Sequence, residues 1–401
     1  MLFERIGIHG WEQIEPVILA AAVSDLSVLL VGDIGSNKTE GARAIAEAVL
    51  GQEIQFRAYE VPTLNFDDLV GFINPKTLGS GHLDFVPTPF SIWTADAALL
   101  DEINRANPFI QSKLHELIRC RSLMGMPTNL KLIFSAVNPP ERYGSGYMDL
   151  ALASRFACAQ VPGITEIKET HLDLILSGNG ATSEKVGIKE IVQKARGSVF
   201  REHDLFVMHQ LCKKVLKELS HTEIVFNARQ AKMILKLLKA GLALKSATKR
   251  DYFSNVDTNT ELIASVIPEL HGVVRASVDI GMVKGTIRTV VSGFSLGDPL
   301  IMASSLEELC QIEPDDNLAW VTAVKEMTAS EQNTKSLEKA ARTVQGRIGK
   351  GYLEKELGEK LMRLIATRLL TETLIKEKVS VVHIRDRASE IAAKLSAMSA
   401  D

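Results

Sequence analysis

The sequence predicts an α/β core, and three of its stretches carry that prediction. A short apolar strand, Ser27-Val28-Leu29-Leu30-Val31, runs into a glycine-bearing turn and then a helix from Glu40 to Leu50. A second apolar run, Ala97-Ala98-Leu99-Leu100, ends in two adjacent acids, Asp101 and Glu102. A third, Leu130 to Val137, ends in Asn138-Pro139-Pro140. Each strand hands over to polar residues at its C-terminal end.

Length and charge narrow the classes open to such a core. The 401 residues, 46% hydrophobic and 24% charged, suffice for two or three domains with a sizeable core. A formal net charge of −3 supplies no overall basic field, which argues against nucleic acid or an anionic membrane as the main partner. Cys120, Cys158, Cys212 and Cys310 are widely spaced, with no CxxC pair. They read as core thiols of a reducing cytosol rather than metal ligands or disulfides. Glu4 and Arg5 precede any apolar run, and Val17 to Val31 is interrupted by Ser24 and Asp25. That pattern fits neither a signal peptide nor a spanning helix, so a cytoplasmic protein without membrane insertion is expected.

Along the chain, Glu12 to Val23 has helical periodicity ahead of the first strand. The turn that follows is Gly32-Asp33-Ile34-Gly35-Ser36-Asn37-Lys38-Thr39, with Glu40 opening the next helix. Strand, glycine turn, Lys-Thr and helix form the context of a phosphate-binding loop. The backbone N–H groups cradle phosphates, the lysine reaches the β and γ phosphates, and the threonine hydroxyl ligates magnesium. Asn37 stands where the pattern G-x-x-x-x-G-K-[ST] has its second glycine. A left-handed backbone there costs a non-glycine residue roughly 1–2 kcal/mol, and asparagine is among the residues that tolerate it best, so weakened rather than abolished binding is expected.

Asn65 to Pro87, with a glycine-rich turn at Leu78-Gly79-Ser80-Gly81, reads as a loop or hairpin inserted into the core, either touching a substrate or serving as a solvated connector. The acids come next. Two neighbouring carboxylates repel each other, so their place at the tip of an apolar strand points to a cation. Magnesium takes oxygen ligands and needs only one or two carboxylates plus phosphate oxygens. In nucleotide hydrolysis Asp101 would hold a magnesium water and Glu102 would polarise the attacking water. An acidic strand end in a turn would carry the same residues; the phosphate-binding loop upstream favours the cation.

Pro108 to Arg121 reads as a helix, followed by a turn through Met124 to Pro127 and the third strand. Asn138 at its end either orients a lytic water or caps the turn before proline. Leu150 to Phe156 reads as a helix end carrying Arg155, which is either solvated or, in a ring of subunits, turned to a neighbour's phosphate. Beyond, Leu205 to Leu219 and Ala228 to Leu244 are the clearest helices. Ile280 to Met302 mixes β-branched runs with Gly281, Gly285, Gly293 and Gly297, and Leu306 to Asp401 is mainly helical. There Leu361, Leu364, Leu369 and Leu374 set an apolar stripe of core character, and the charges between 335 and 394 alternate as on a solvated face.

Asp101-Glu102-Ile103-Asn104-Arg105-Ala106, the preceding Phe85-Val86-Pro87-x-Pro89-Phe90, Val137-Asn138-Pro139 and Ser154-Arg155-Phe156 together resemble the MoxR-type AAA+ ATPases. Asn227-Ala228-Arg229-Gln230-Ala231 looks like the lid-domain arginine motif of that family, and the likeness runs from about Ile8 to Arg275. The resemblance implies an α/β P-loop AAA+ core with a parallel sheet over 1–163, a helical lid over 164–275 and a mainly helical C-terminal extension over 276–401. It implies ATP and Mg²⁺ as cofactors. Ile8 and His9 would flank the adenine, and Gly32 to Glu40 would hold the phosphates. Thr39 and Asp101 would serve the metal, with Asp101 and Glu102 as the acidic pair. Asn138 would sense the γ-phosphate, Arg155 would be the arginine finger and Arg229 the lid sensor. Two residues depart from the pattern: Asn37 in the loop, and Ser154 where an acid usually precedes the finger.

By this resemblance the chain is an ATP-hydrolysing homo-hexamer that remodels or matures a protein client, often one with a von Willebrand factor A domain. Two other readings compete. In one, ATP holds a scaffold together with negligible turnover; in the other, the ring is a DNA-acting motor, against which the weak basic character argues.

Overall fold

The apolar runs of the sequence become adjacent strands of one sheet. The computed structural model of the chain describes all residues except 82–83, 178–186, 201, 225, 296–304, 313–316, 378–387 and 394–401. Its strands are β1 (Ser27–Val31), β2 (Phe56–Glu60), β3 (Phe72–Ile73), β4 (Phe85–Val86), β5 (Ala97–Asp101), β6 (Ser122–Leu123), β7 (Met126–Pro127), β8 (Leu132–Val137) and β9 (Phe156–Gln160). A five-stranded sheet takes the order β2-β5-β8-β1-β9 with every pairing parallel. β1 and β8 are buried along their whole length, as strands covered on both faces must be.

The register fixes the chemistry. Val31 pairs with Val137, so Gly32 and Asn138 leave the sheet side by side, and the Gly32 N–H donates to Val137 O at 3.2 Å. Glu60 pairs with Asp101 on the next strands over. The carboxyl ends of β1, β2, β5 and β8 therefore share one edge, where open α/β sheets place their ligands.

Two of the five strands were not legible in the sequence. β2 lies at the sheet edge and buries only Phe56 and Tyr59 along its length, so it lacks a continuous apolar run. β9 is Phe-Ala-Cys-Ala-Gln, buried from Phe156 to Ala159, and after Phe156 it carries no residue of high strand preference.

The inserted stretch forms a short helix Phe66–Val70, the antiparallel pair β3–β4 and a turn of helix Pro75–Leu78. Gly71 closes its base with φ +90°, and a Cβ there would stand 2.3 Å from Val86 O, so only glycine fits. The turn between β6 and β7 hangs on Glu116, whose carboxylate accepts from Met124 N, Gly125 N and Ser122 Oγ at 2.8 to 3.0 Å.

The chain divides into two compact units, 1–200 with 208–292, and 201–207 with 293–401. In the first unit, helices Ile188–Arg196, Ala228–Thr248 and Val256–Ala264 follow the sheet. Asn227 caps the long one by accepting from Arg229 N and Gln230 N, each at 3.0 Å. These helices are tied to helix Glu15–Val23 of the core. Buried Glu15 accepts from Phe3 N at 2.7 Å and from the Tyr252 hydroxyl, and Arg196 donates to Ala22 O and Asp25. Ile280–Ser295 forms a helix despite its glycines, burying Val283, Ile287 and Val291, with Lys284–Glu261 and Arg288–Asp257 ion pairs at its surface; Gly297 and the rest of that stretch lie outside the described residues. The second unit is helical, with Asn317–Ser330, Thr334–Gly349 and Lys355–Glu377 packed around Trp320, Leu361, Ile365 and Leu369. Leu361 and Leu369 belong to the apolar stripe read from the sequence, which serves here as core. Among the described residues no helix is long and apolar enough to cross a membrane.

One buried group makes the first unit acid-sensitive. His271 is buried, its Nε2–H donates to Ala264 O at 3.1 Å, and burial pushes its pKa from 6.5 down to about 4. The folded state resists the proton that the unfolded chain accepts. Stability is therefore complete above about pH 6.5 and falls as pH drops towards 4, by about 3 kcal/mol at 1.36 kcal/mol per pKa unit. His271→Gln keeps a donor but cannot titrate. Its melting temperature should decline less between pH 6.5 and 4 than that of the wild type; identical acid limbs would contradict this assignment.

Candidate active site

The turn after β1 opens a helix at Lys38, two residues earlier than periodicity suggests. Asn37 precedes it in a left-handed conformation, φ +60° and ψ 28°, as the missing glycine requires. Gly41, one turn on, lets the Trp11 indole lie against the helix; a Cβ would meet the ring at 2.6 Å.

Lys38 is buried, and its ammonium donates to Gly32 O at 2.9 Å, Asp33 O at 2.8 Å, Ser36 Oγ at 3.3 Å and Asn138 Oδ1 at 3.0 Å. Burial lowers its pKa, while the charges of Asp101, Asp33 and Glu102 oppose the shift. Thr39 Oγ1 stands 3.4 Å from Asp101 Oδ2, so the two oxygen donors read as metal groups face each other. Asp101 Oδ1 accepts from Glu102 N at 2.9 Å. Glu102 itself sits at φ +51°, a strained backbone of the kind that gathers at functional sites. Its carboxylate is reached from one side by Asn138 Nδ2 at 3.4 Å and from the other by Arg105 at 3.3 Å. Asn138 thereby links the loop lysine to the second acid. Arg142 pairs with Asp33 at 2.7 Å across the loop.

These groups open on a cavity of about 650 Å³, lined by Ile34 to Glu40, Asp101, Glu102, Asn138 and by Glu60, Pro62 and Thr63 from the end of β2. The last three were not found in the sequence, because no strand was visible there. An array of loop N–H groups, a lysine, a hydroxyl and two carboxylates around one cavity can hold a polyphosphate and a hard cation.

Arg155 and Arg229 lie elsewhere and close to one another. Burial lowers the pKa of Arg155, and the charges of Arg229 and Arg119 lower it further. His115 is lowered too, by burial first and then by Arg155. Arg155 donates from Nη1 to Ala151 O, while its buried Nε has no partner among the described residues. Helix Pro108–Cys120, the end of helix Leu150–Ala153 and the start of helix Ala228–Thr248 thus bring their cations together. Ile8 and His9 also lie outside the cavity lining; both are buried, with the His9 ring 5.9 Å from that of His171.

Residues 27–156, which span β1 to the start of β9 and include every group lining the cavity, match the family model of the AAA domain (dynein-related subfamily). This stretch is an AAA domain. The match agrees with the resemblance to MoxR-type AAA+ ATPases, and an AAA domain implies nucleotide binding. A crystal structure of a candidate ATPase from Cytophaga hutchinsonii is similar over 71% of this chain and 91% of its own, at 18% identity and a TM-score of 0.51, a likeness of fold. NtrX from Brucella abortus aligns over 90% of this chain and 70% of its own at 14% identity, with a TM-score of 0.30. Its complex with ADP aligns over 88% and 67% at 14% identity and a TM-score of 0.29. No curated protein matches the chain in sequence.

Proposed function

We propose that the chain is an ATP-hydrolysing, MoxR-like AAA+ protein of the cytoplasm that assembles as a homo-hexameric ring and remodels a protein client, von Willebrand factor A domain proteins being the class to test first. The observation that carries this reading is the division of the hydrolytic groups. Lys38, Thr39, Asp101, Glu102 and Asn138 surround one cavity, whereas Arg155 and Arg229 stand together outside it. A complete site then takes the arginines of a neighbouring subunit, which makes the ring part of the chemistry.

In that site, the Lys38 ammonium exchanges its loop carbonyls for phosphate oxygens. Thr39 and Asp101 are the oxygen donors for Mg²⁺, which when bound neutralises charge on the phosphates. Glu102 accepts the proton of the attacking water, and Asn138, already bridging Lys38 and Glu102, orients that water relative to the phosphate. Ile8 and His9 flank the base in this reading, His9 through its backbone. Division into a core over 1–163 and a lid over 164–275, with an extension from 276, assigns the nucleotide to the first two. The scaffold reading draws on Asn37 alone, since strain in the loop weakens the nucleotide without touching Glu102.

That strain can be measured. Asn37→Gly removes a left-handed cost of roughly 1–2 kcal/mol and should tighten ATP binding by up to about tenfold in a fluorescent-nucleotide titration. Weaker binding by the glycine variant would show that the asparagine amide itself contacts the nucleotide. The function is tested by ATP-dependent capture of client proteins on the Glu102→Gln chain, with Lys38→Ala as the control. Equal capture by both would remove ATP from the client cycle.

A further inference from the structure

A second cluster of ligating side chains lies apart from the cavity. His171, on helix Glu169–Ser177, sits between two carboxylates of the N-terminal segment: Nε2 is 3.4 Å from Glu4 Oε1 and Nδ1 is 2.9 Å from Glu12 Oε1. One ligand atom from each of Glu4, Glu12 and His171 can be chosen so that all lie within 4.8 Å of one another. Glu12 Oε1 is oriented further by the Gly10 N–H at 3.1 Å, and Glu4 Oε2 by the Met1 amino group at 2.7 Å.

His9 is the independent observation that points to a ligand. It is only 9% exposed, and neither ring nitrogen has a hydrogen-bond partner among the described residues. A buried imidazole left without a hydrogen-bond partner is unfavourable, so it calls for one. Its ring centroid is 5.9 Å from that of His171, at a tilt of 35°. Two imidazoles bound to one tetrahedral zinc at about 2.1 Å have centroids about 5 Å apart, so binding requires the His9 ring to move towards His171 by about 1 Å.

We propose that Glu4, Glu12, His171 and His9 form a site for a first-row divalent cation, with Zn²⁺ as the best match. Two carboxylates neutralise the ion, and two imidazole nitrogens select a transition metal over magnesium or calcium, which prefer oxygen alone. The site joins the N-terminal segment to helix Glu169–Ser177, elements separated by the whole AAA sheet in sequence. The metal therefore staples the beginning of the chain to the segment that leaves β9.

The test is a zinc titration of the full-length, chelator-treated chain against a chromophoric zinc indicator, followed by thermal unfolding with and without zinc. One equivalent should bind and raise the melting temperature of the wild type. His171→Gln and His9→Gln should each weaken binding by more than about tenfold, since losing a ligand costs more than losing one of its outer-shell partners. Zinc-edge absorption spectra should report mixed nitrogen and oxygen ligands. Absence of saturable binding, or binding unchanged in the His9→Gln, His171→Gln double variant, would overturn the site. Because His171→Gln could loosen the helix, its helicity is checked by circular dichroism, and Glu12→Gln, which keeps size and hydrogen bonding, gives a second reading. Undiminished zinc affinity in Glu12→Gln would count against the proposal.

Discussion

Replacing Lys38 by alanine is expected to remove the rise in melting temperature that ATP with magnesium gives the wild-type chain. A ligand at about 100 times its dissociation constant stabilises by about 2.7 kcal/mol, which for a unit of this size is a shift of several degrees. The lysine is the single cation lining the cavity among the described residues, and its four acceptors hold it where the loop turns into the helix. The comparison is made against each variant without nucleotide, since alanine also frees Gly32 O, Asp33 O and Asn138 from their donor. An undiminished shift in Lys38→Ala would place the nucleotide away from this loop.

The second large effect concerns Arg155. An arginine supplied by a neighbouring subunit is worth about 10³ to 10⁵ in phosphoryl-transfer rate, whereas one that only caps Ala151 would alter stability and leave turnover near normal. Arg155→Ala should bind ATP, form rings and lose turnover. Mixed with Glu102→Gln, it should regain part of that turnover, because some interfaces then pair an intact Glu102 with an intact Arg155. Light scattering checks that the mixed rings form. Mixtures as inactive as either variant, in rings of normal size, would mean that the two residues do not complete one site from two subunits.

How much of this was legible beforehand differs from residue to residue. Strand β1, the helix after the loop and the acids at the end of β5 were readable because long apolar runs stop abruptly at polar residues, a pattern that solvation alone enforces. The left-handed backbone at Asn37 followed from the position of a missing glycine and is what the chain adopts. Glu60, Pro62 and Thr63 were not readable: they end or follow an edge strand whose two buried residues, Phe56 and Tyr59, fall on opposite faces, so no alternating apolar pattern marked it. Ile280–Ser295 was obscured for another reason. Its glycines lower helix preference by about 1 kcal/mol each, and burial of Val283, Ile287 and Val291 on one face offsets that loss. The gathering of Arg155 with Arg229, Arg119 and His115 depends on three elements far apart in sequence, so only tertiary structure could supply it.

The central claim is that the Glu102 carboxylate, held by Asn138 at the edge of the AAA sheet, drives ATP hydrolysis. Steady-state phosphate release by wild-type rings and by Glu102→Gln rings, at saturating ATP and magnesium and with a client present, tests it most directly. The account predicts measurable release from the wild type and a loss of about 10² to 10⁴-fold in the variant, the usual contribution of a general base, with ATP binding retained. Wild-type rings that bind ATP yet release no more phosphate than Glu102→Gln rings would contradict it and leave the nucleotide as a structural ligand.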